Sequence, residues 1–340
     1  MRLPPKWLRR LLIDPALVLL VVMALVSLPI WLVVAAFLSR YVPGNWRIFR
    51  LAWFLFLYLV VETVGLAAMF FTWVFSGLGW KARSPFFVEV HYRLLGWMLR
   101  TVVKSALFTF KLELEVEDDR PATRDRERSR AILVLSRHAG PGDSFLLMNG
   151  LVNGFGRDPR IVLKEFLQWD PAVDVILNRL PTAFVPVGRK GGEALLGSIG
   201  DLARNLGSDD AFVIFPEGAN YTERRRARAI QKLREIGRPD LAERAEELKQ
   251  TLPPRTLGVM TALEAAPKPS DVFFVGHAGL EGFVTAADIW RAMPMDTSVS
   301  VKLWHVPSED IPLPEGQEAW LYDIWAEIDR WITRSLEKTG

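Results

Sequence analysis

The sequence predicts an α/β domain with a largely parallel sheet, preceded by a transmembrane helical hairpin. Three observations carry this expectation. Two long apolar stretches fall within the first 80 residues, charge divides unevenly at that boundary, and beyond it short apolar runs alternate with helical ones.

Pro15 to Ser39 is 25 residues without a charge, and Leu51 to Gly79 is 29 residues with only Glu62. Roughly 20 apolar residues span a bilayer core, so both stretches are long enough. They are also too long for the apolar region of a signal peptide, which runs to about 15 residues at most. The connector, Arg40 to Arg50, carries the turn signal Pro43, Gly44, Asn45. Orientation follows from flanking cations. Arg2, Lys6, Arg9 and Arg10 precede the first stretch, and Lys81, Arg83, Arg93, Arg100 and Lys104 follow the second. The connector has only Arg40, Arg47 and Arg50. This bias places both ends inside and the connector outside. The expectation is therefore a multi-pass protein of the inner membrane with its main domain on the cytoplasmic face. Glu62, alone inside the second span, is expected either to serve function or to sit protonated against a backbone or hydroxyl group.

Residues 84–111 interleave Phe86, Phe87, Tyr92, Trp97, Phe108 and Phe110 with His91, Arg93, Arg100 and Lys104, the pattern of an amphipathic helix lying on a leaflet or of a core-packed helix. Strict alternation over Lys111–Glu117 predicts a half-buried strand, and residues 118–130 a charged loop. Further strands are expected at 131–136, 160–163, 183–187, 211–215, 271–275 and 298–304. Helices are expected at 144–152, 165–178, 193–206, 223–250, 256–266 and 316–336. The organisation read from this is a hairpin over 1–80, a membrane-surface segment with the first strand over 81–117, and the main domain over 118–340.

The chain has 340 residues with a net charge of +3. The first 80 hold seven Lys/Arg against Asp14 and Glu62, leaving 35 basic and 37 acidic residues for the rest. So balanced a domain offers no field for general nucleic-acid binding. Without cysteine there is no disulfide framework, thiolate metal site or Cys nucleophile.

Four histidines narrow the search for chemistry. His91 falls in the aromatic-rich helix and His305 follows a strand, so both read as structural. His277, after the apolar run Phe273, Phe274, Val275, is a candidate for the site. His138 stands out. It follows the buried strand 131–136, and Gly140, Pro141 and Gly142 then force a tight turn into Asp143 at the start of a helix. The turn can fold Asp143 back on the imidazole, fixing its tautomer and leaving the other nitrogen as general base. At the same sheet edge a second apolar strand, 211–215, ends in Pro216, Glu217 and Gly218. Lys164 and Arg189 end or follow strands there too. A His–Asp pair beside two cations suits a hydroxyl nucleophile on a phosphate-bearing molecule. The run Arg224, Arg225, Arg226, Arg228 opens a charged helix nearby, either as a solvated face or as a site for an anionic headgroup, a lipid surface or a coenzyme phosphate.

His138 with Asp143, Lys164-Glu165-Phe166, Pro186-Val187-Gly188-Arg189 and Phe215-Pro216-Glu217-Gly218 occur in the order of the glycerolipid acyltransferases. Over roughly residues 130–275 the sequence resembles the lysophosphatidic acid acyltransferase (PlsC-type) superfamily. The segment ending in Pro253-Pro254-Arg255-Thr256 resembles its lysocardiolipin-type subgroup. The resemblance implies direct acyl transfer from acyl-CoA or acyl-carrier protein, with no bound cofactor or metal, to the free hydroxyl of a membrane lysophospholipid such as 1-acylglycerol-3-phosphate. In that reading His138 takes the hydroxyl proton and Asp143 orients it. Lys164 and Arg189 bind the acceptor's phosphate, and Glu217 and Gly218 shape its pocket. Arg224, Arg225, Arg255 and His277 are further candidates. Three departures bear on acceptor identity. Gly140 stands where the family commonly has a polar residue, Ala219-Asn220 follow Glu217-Gly218, and the proline-containing fourth motif is replaced by Gly276-His277. Lysocardiolipin or lysophosphatidylinositol are alternative acceptors, and a non-catalytic, membrane-anchored lipid-binding protein is the reading from another class. A serine hydrolase using Ser144 lacks the Gly-x-Ser-x-Gly elbow.

Overall fold

The computed structural model describes residues 4–118, 130–140, 142–185, 192–283 and 286–339. All seven expected strands form, as β1 Leu112–Asp118, β2 Ile132–Ser136, β3 Asp158–Lys164, β4 Thr182–Val185, β5 Asp210–Ile214, β6 Asp271–Ala278 and β7 Thr297–Val306. They make one sheet in the order β1-β7-β6-β2-β5-β3-β4. Every pairing is parallel except β6 with β7.

The central strands are buried on both faces, which is why they read as unbroken apolar runs. Leu133, Leu135, Phe212 and Phe274 point into one layer of core with Trp325 and Ile328. Ile132, Val134, Val213, Phe273 and Val275 point into the other. Ile199, Ala203, Val259 and Leu263 cover the first face from the helices Gly192–Arg204 and Thr256–Ala265, together with Pro314–Thr339. The second is covered by Asp143–Asn149 and its continuation Gly150–Gly154. Each large apolar side chain taken out of water here contributes about 1.5–3 kcal/mol.

Two expected helices break. The segment 223–250 forms Glu223–Glu235 and Pro239–Glu247, because Gly237 takes φ +76° and Pro239 starts a new helix. The segment 165–178 forms a 3₁₀ turn, Glu165–Trp169, and then a helix, Pro171–Leu177, capped by Asp170.

The N-terminal region departs most from expectation. Helices α1 (Lys6–Ser39) and α2 (Arg47–Phe75) are both long and apolar enough to cross a membrane. Yet α2 lies against the α/β domain along its length, followed antiparallel by α3 (Pro85–Phe110). At one end of α2, Arg47 donates to the carbonyls of Arg291 and Met293, and Arg50 to that of Thr109. In the middle, Glu62 accepts from the Ala172 amide at 3.1 Å and Tyr58 bonds to Asp170. At the far end, Arg179 donates to the Met69 carbonyl and the Thr72 hydroxyl. The start of α1 is tied down as well, by Arg9 buried against Asp174 at 2.7 Å. Glu62 thus has the backbone partner expected of it. The connector also touches the same domain as the chain's first helical turn, through Arg47 and Arg9 respectively. Arg9 and Arg47, two of the flanking cations counted in the sequence, thus also hold tertiary contacts.

The outer surface of α1 stays apolar, with Val26, Ile30, Val33 and Phe37 more than half exposed. Helix α3 turns His91, Tyr92, Leu99 and Val103 inward while Phe86 and Phe108 face out. A contiguous apolar face of this kind marks a lipid or protein contact. Cysteines introduced at the exposed positions Asn45 and Ser208 are expected to react alike with an impermeant thiol reagent in intact cells, the natural chain having no cysteine. Labelling at 45 with protection at 208 would restore a hairpin that crosses the bilayer.

Candidate functional site

The carboxyl ends of β2, β5 and β6 meet at one edge of the sheet, where loops enter helices. The chain leaves β2 at Ser136, and the Arg137 amide still pairs with the Val275 carbonyl. His138 comes next, its backbone held from two sides. Its amide donates to Glu217 Oε1 at 3.0 Å, and its carbonyl accepts from the Tyr221 amide at 3.1 Å. The ring packs on Phe215 with centroids 4.9 Å apart.

Asp143 opens helix α4 (Asp143–Asn149), and the turn brings it back on His138 as the sequence predicts. Its Oδ2 lies 3.0 Å from His138 Nδ1 and accepts from the amides of Ala139 at 2.8 Å and Gly140 at 3.1 Å. Oδ1 accepts from the Ser144 hydroxyl. Burial alone would raise the pKa of Asp143, but His138 and His277 outweigh it and hold the carboxyl well below the usual range. An ionised carboxylate only accepts, so His138 Nδ1 carries the proton and Nε2 presents its lone pair. Among the described residues Nε2 meets no partner, and the side chain is 17% exposed. That is the geometry of a general base open to substrate. Ser144 points to Asp143 instead of an imidazole, which leaves it unactivated as a nucleophile.

Glu217 is placed differently from the expected wall of a substrate pocket. It is fully buried, and its second oxygen accepts from the Leu252 amide at 3.0 Å. The carboxylate thus ties the loops after β2, β5 and residue 251 together. Burial pushes its pKa up to about 8, against the opposing charge of Arg137 and the amides of Leu252 and His138. A folded value above the ordinary 4.5 means that ionisation erodes stability as pH rises from about 4.5 to 8. Glu217→Gln puts an NH₂ against one of the two amides, leaving a buried donor unsatisfied at a cost of about 1–3 kcal/mol. Its melting temperature is expected to fall furthest below wild type at pH 5. The gap narrows towards pH 8, where only the wild-type carboxyl must ionise. A gap independent of pH would remove this assignment.

Gly218 serves close approach. Its φ is +66°, and a Cβ there would lie 2.8 Å from the Arg255 guanidinium carbon. Arg255 therefore crosses directly over this loop, its amide bonded to the Pro216 carbonyl. Lys164 ends β3 near it. Partial burial, then the charges of Arg225 and Arg255, lower the Lys164 pKa. No ion pair joins these three cations to a carboxylate among the described residues, so their positive charges face one another without a paired carboxylate there. Arg224 is exposed on the first turn of its helix. Arg189 lies outside the described residues.

Sequence reasoning missed Arg137, which is fully buried and bonds to Glu281 and to the carbonyls of His277 and Gln250. Its partners lie more than 100 residues away, so no local pattern announces it. His305 bonds to Asp271 and stacks on Phe273, and His91 sits between the Phe87 carbonyl and Arg179, as structural histidines do.

A cavity of about 230 Å³ opens beside Asp143. Val134, Leu147, Leu151, Val275 and Val301 line it, with His277 and Ser136 near the carboxylate. It runs between the sheet and α4.

Residues 113–270 match the family model described as Acyltransferase, a span from β1 to the turn before β6. No match is found among curated proteins.

Proposed function

Because residues 113–270 match the Acyltransferase family model, we propose that the protein transfers a fatty acyl group from acyl-CoA or acyl-carrier protein to the hydroxyl of a lysophospholipid, 1-acylglycerol-3-phosphate first among them. The observation that carries this reading is the free Nε2 of His138, backed by the buried Asp143. The acceptor hydroxyl gives its proton to Nε2 as its oxygen attacks the thioester carbonyl carbon. Asp143 stabilises the imidazolium that results. The tetrahedral intermediate then collapses, the C–S bond breaks, and the thiolate takes the proton from His138. No acyl-enzyme forms, in keeping with Ser144 bonded to Asp143.

Lys164, Arg225 and Arg255 suit the acceptor's phosphate, and Arg189 is proposed to join them. The cavity beside Asp143 suits the donor's acyl chain, most of its lining residues being apolar. The apolar face of α1 to α3 suits a bilayer from which the acceptor arrives.

The test is turnover of labelled acyl-CoA with a panel of lyso-lipids. Acyl transfer to lysophosphatidate is expected, and no transfer to any lyso-lipid from either donor would leave the lipid-binding alternative. Lys164→Ala and Arg255→Ala should each raise the acceptor KM about tenfold or more, the scale of one lost charge-assisted hydrogen bond, with the donor KM nearly unmoved. An equal rise in both values would take these cations out of the acceptor site.

A further inference from the structure

The loss of the family's fourth motif at Gly276-His277 leaves a histidine that the reaction above does not use. Strand alternation sets where it points. Phe273, Val275 and His277 share the face covered by α4, whereas Phe274 packs into the opposite layer and a Cβ on Gly276 would meet Trp304 and Ile328 there. The strand ends just beyond, where Gly279 takes φ +103° with the Ser298 carbonyl 2.3 Å from any Cβ. Arg137 grips the His277 carbonyl and Glu281, and Glu281 in turn accepts from the Gly279 amide. This clamp fixes the backbone that carries the imidazole.

The side chain is 5% exposed, and neither ring nitrogen has a hydrogen-bond partner among the described residues. Such a group costs free energy unless its environment gives something back. Its Nε2 faces Asp143 Oδ2 at 3.6 Å, on the cavity side, while His138 holds the same oxygen at 3.0 Å. Two imidazoles therefore flank one carboxylate. At 3.6 Å the second contact is longer than a hydrogen bond, and such contacts commonly tighten when substrate fills a site.

We propose that His277 is a positioning residue for the catalytic carboxylate, its Nε2–H directed at Asp143 so that the carboxylate stays oriented on His138 during proton transfer. The inference rests on His138 being the general base. The charged groups around His277 are Asp143 on α4 and the Arg137–Glu281 pair, whose charges offset each other. Removing the Nε2–H dipole leaves Asp143 more negative towards His138. This favours the imidazolium, which is inactive as a base, so activity should fail at higher pH than in wild type.

The experiment compares His277→Leu with His277→Gln, which lose similar packing but differ in carrying an N–H donor at the ε position. Expected for His277→Leu is a fall in kcat of about tenfold or more, the lower range seen for groups that orient a catalytic ligand. Both KM values stay within about twofold, and the acidic limb of kcat/KM moves up by about half a pH unit or more. His277→Gln should recover most of the rate and the wild-type limb. Equal losses in Leu and Gln, a raised donor KM with an unmoved limb, or wild-type kinetics in His277→Leu would each overturn the assignment. Should His277→Leu fail to fold, His277→Asn takes its place against Gln, the two differing only in reach. His138→Ala is run alongside. Activity in that variant would remove the base and this inference together, whereas an inactive His138→Ala beside a normal His277→Leu removes the inference alone.

Discussion

His138→Ala is expected to lower acyl transfer by about 10³–10⁴-fold, to the level of the uncatalysed background in the same site. The variant should still fold. The imidazole packs on one ring, Phe215, and its hydrogen bonds to Glu217 and Tyr221 are made by backbone atoms that alanine keeps. The loss should appear in kcat with little change in either KM, because no described contact assigns His138 to ground-state binding. Turnover within tenfold of wild type, in protein with a normal melting temperature, would end the mechanism.

Asp143→Asn should cost nearly as much, for a different reason. The asparagine oxygen can go on accepting from Ala139 and Gly140, so the turn is kept. Its NH₂ then takes the Oδ1 place, 3.2 Å from His138 Nδ1, where it favours the tautomer with its proton on Nε2, which leaves no lone pair there for the acceptor hydroxyl. The analogous change in a serine-protease triad costs about 10⁴-fold. Because the carboxylate is 2% exposed and held far into its ionised form, little of this effect should come from altered folding near neutral pH. A variant that keeps its rate would mean that tautomer control lies elsewhere.

The two variants draw on information that differs in kind. That a His and an Asp would meet was legible in the residues between them, since Gly140 to Gly142 can only turn tightly before the helix begins. The partners of Glu217 were not legible. One is the amide of His138, 79 residues earlier, and the other that of Leu252, 35 residues later. A carboxylate after a strand looks the same in sequence whether it faces substrate or backbone amides. Burial makes the choice, and burial belongs to the assembled sheet. Arg255 likewise reaches the site only because Gly218 leaves room for its guanidinium.

What the sequence by itself determined was periodic or local: seven strands, most helices, the two long apolar stretches and the turn joining His138 to Asp143. These follow from side-chain alternation, from apolar length and from turn chemistry, each acting over a few residues. Only the tertiary structure decided how the hairpin lies and what surrounds the Asp143 carboxylate. Apolar length is equally consistent with crossing a bilayer and with lying along a domain. The contacts of Arg9, Arg47, Glu62 and Arg179 favour the second, because a polar or charged group withdrawn from water must find its partner wherever the fold supplies one. The same condition puts His277 beside Asp143. A lone histidine on an apolar strand carries no sign of its neighbour, and the pairing of β6 with β2 creates it.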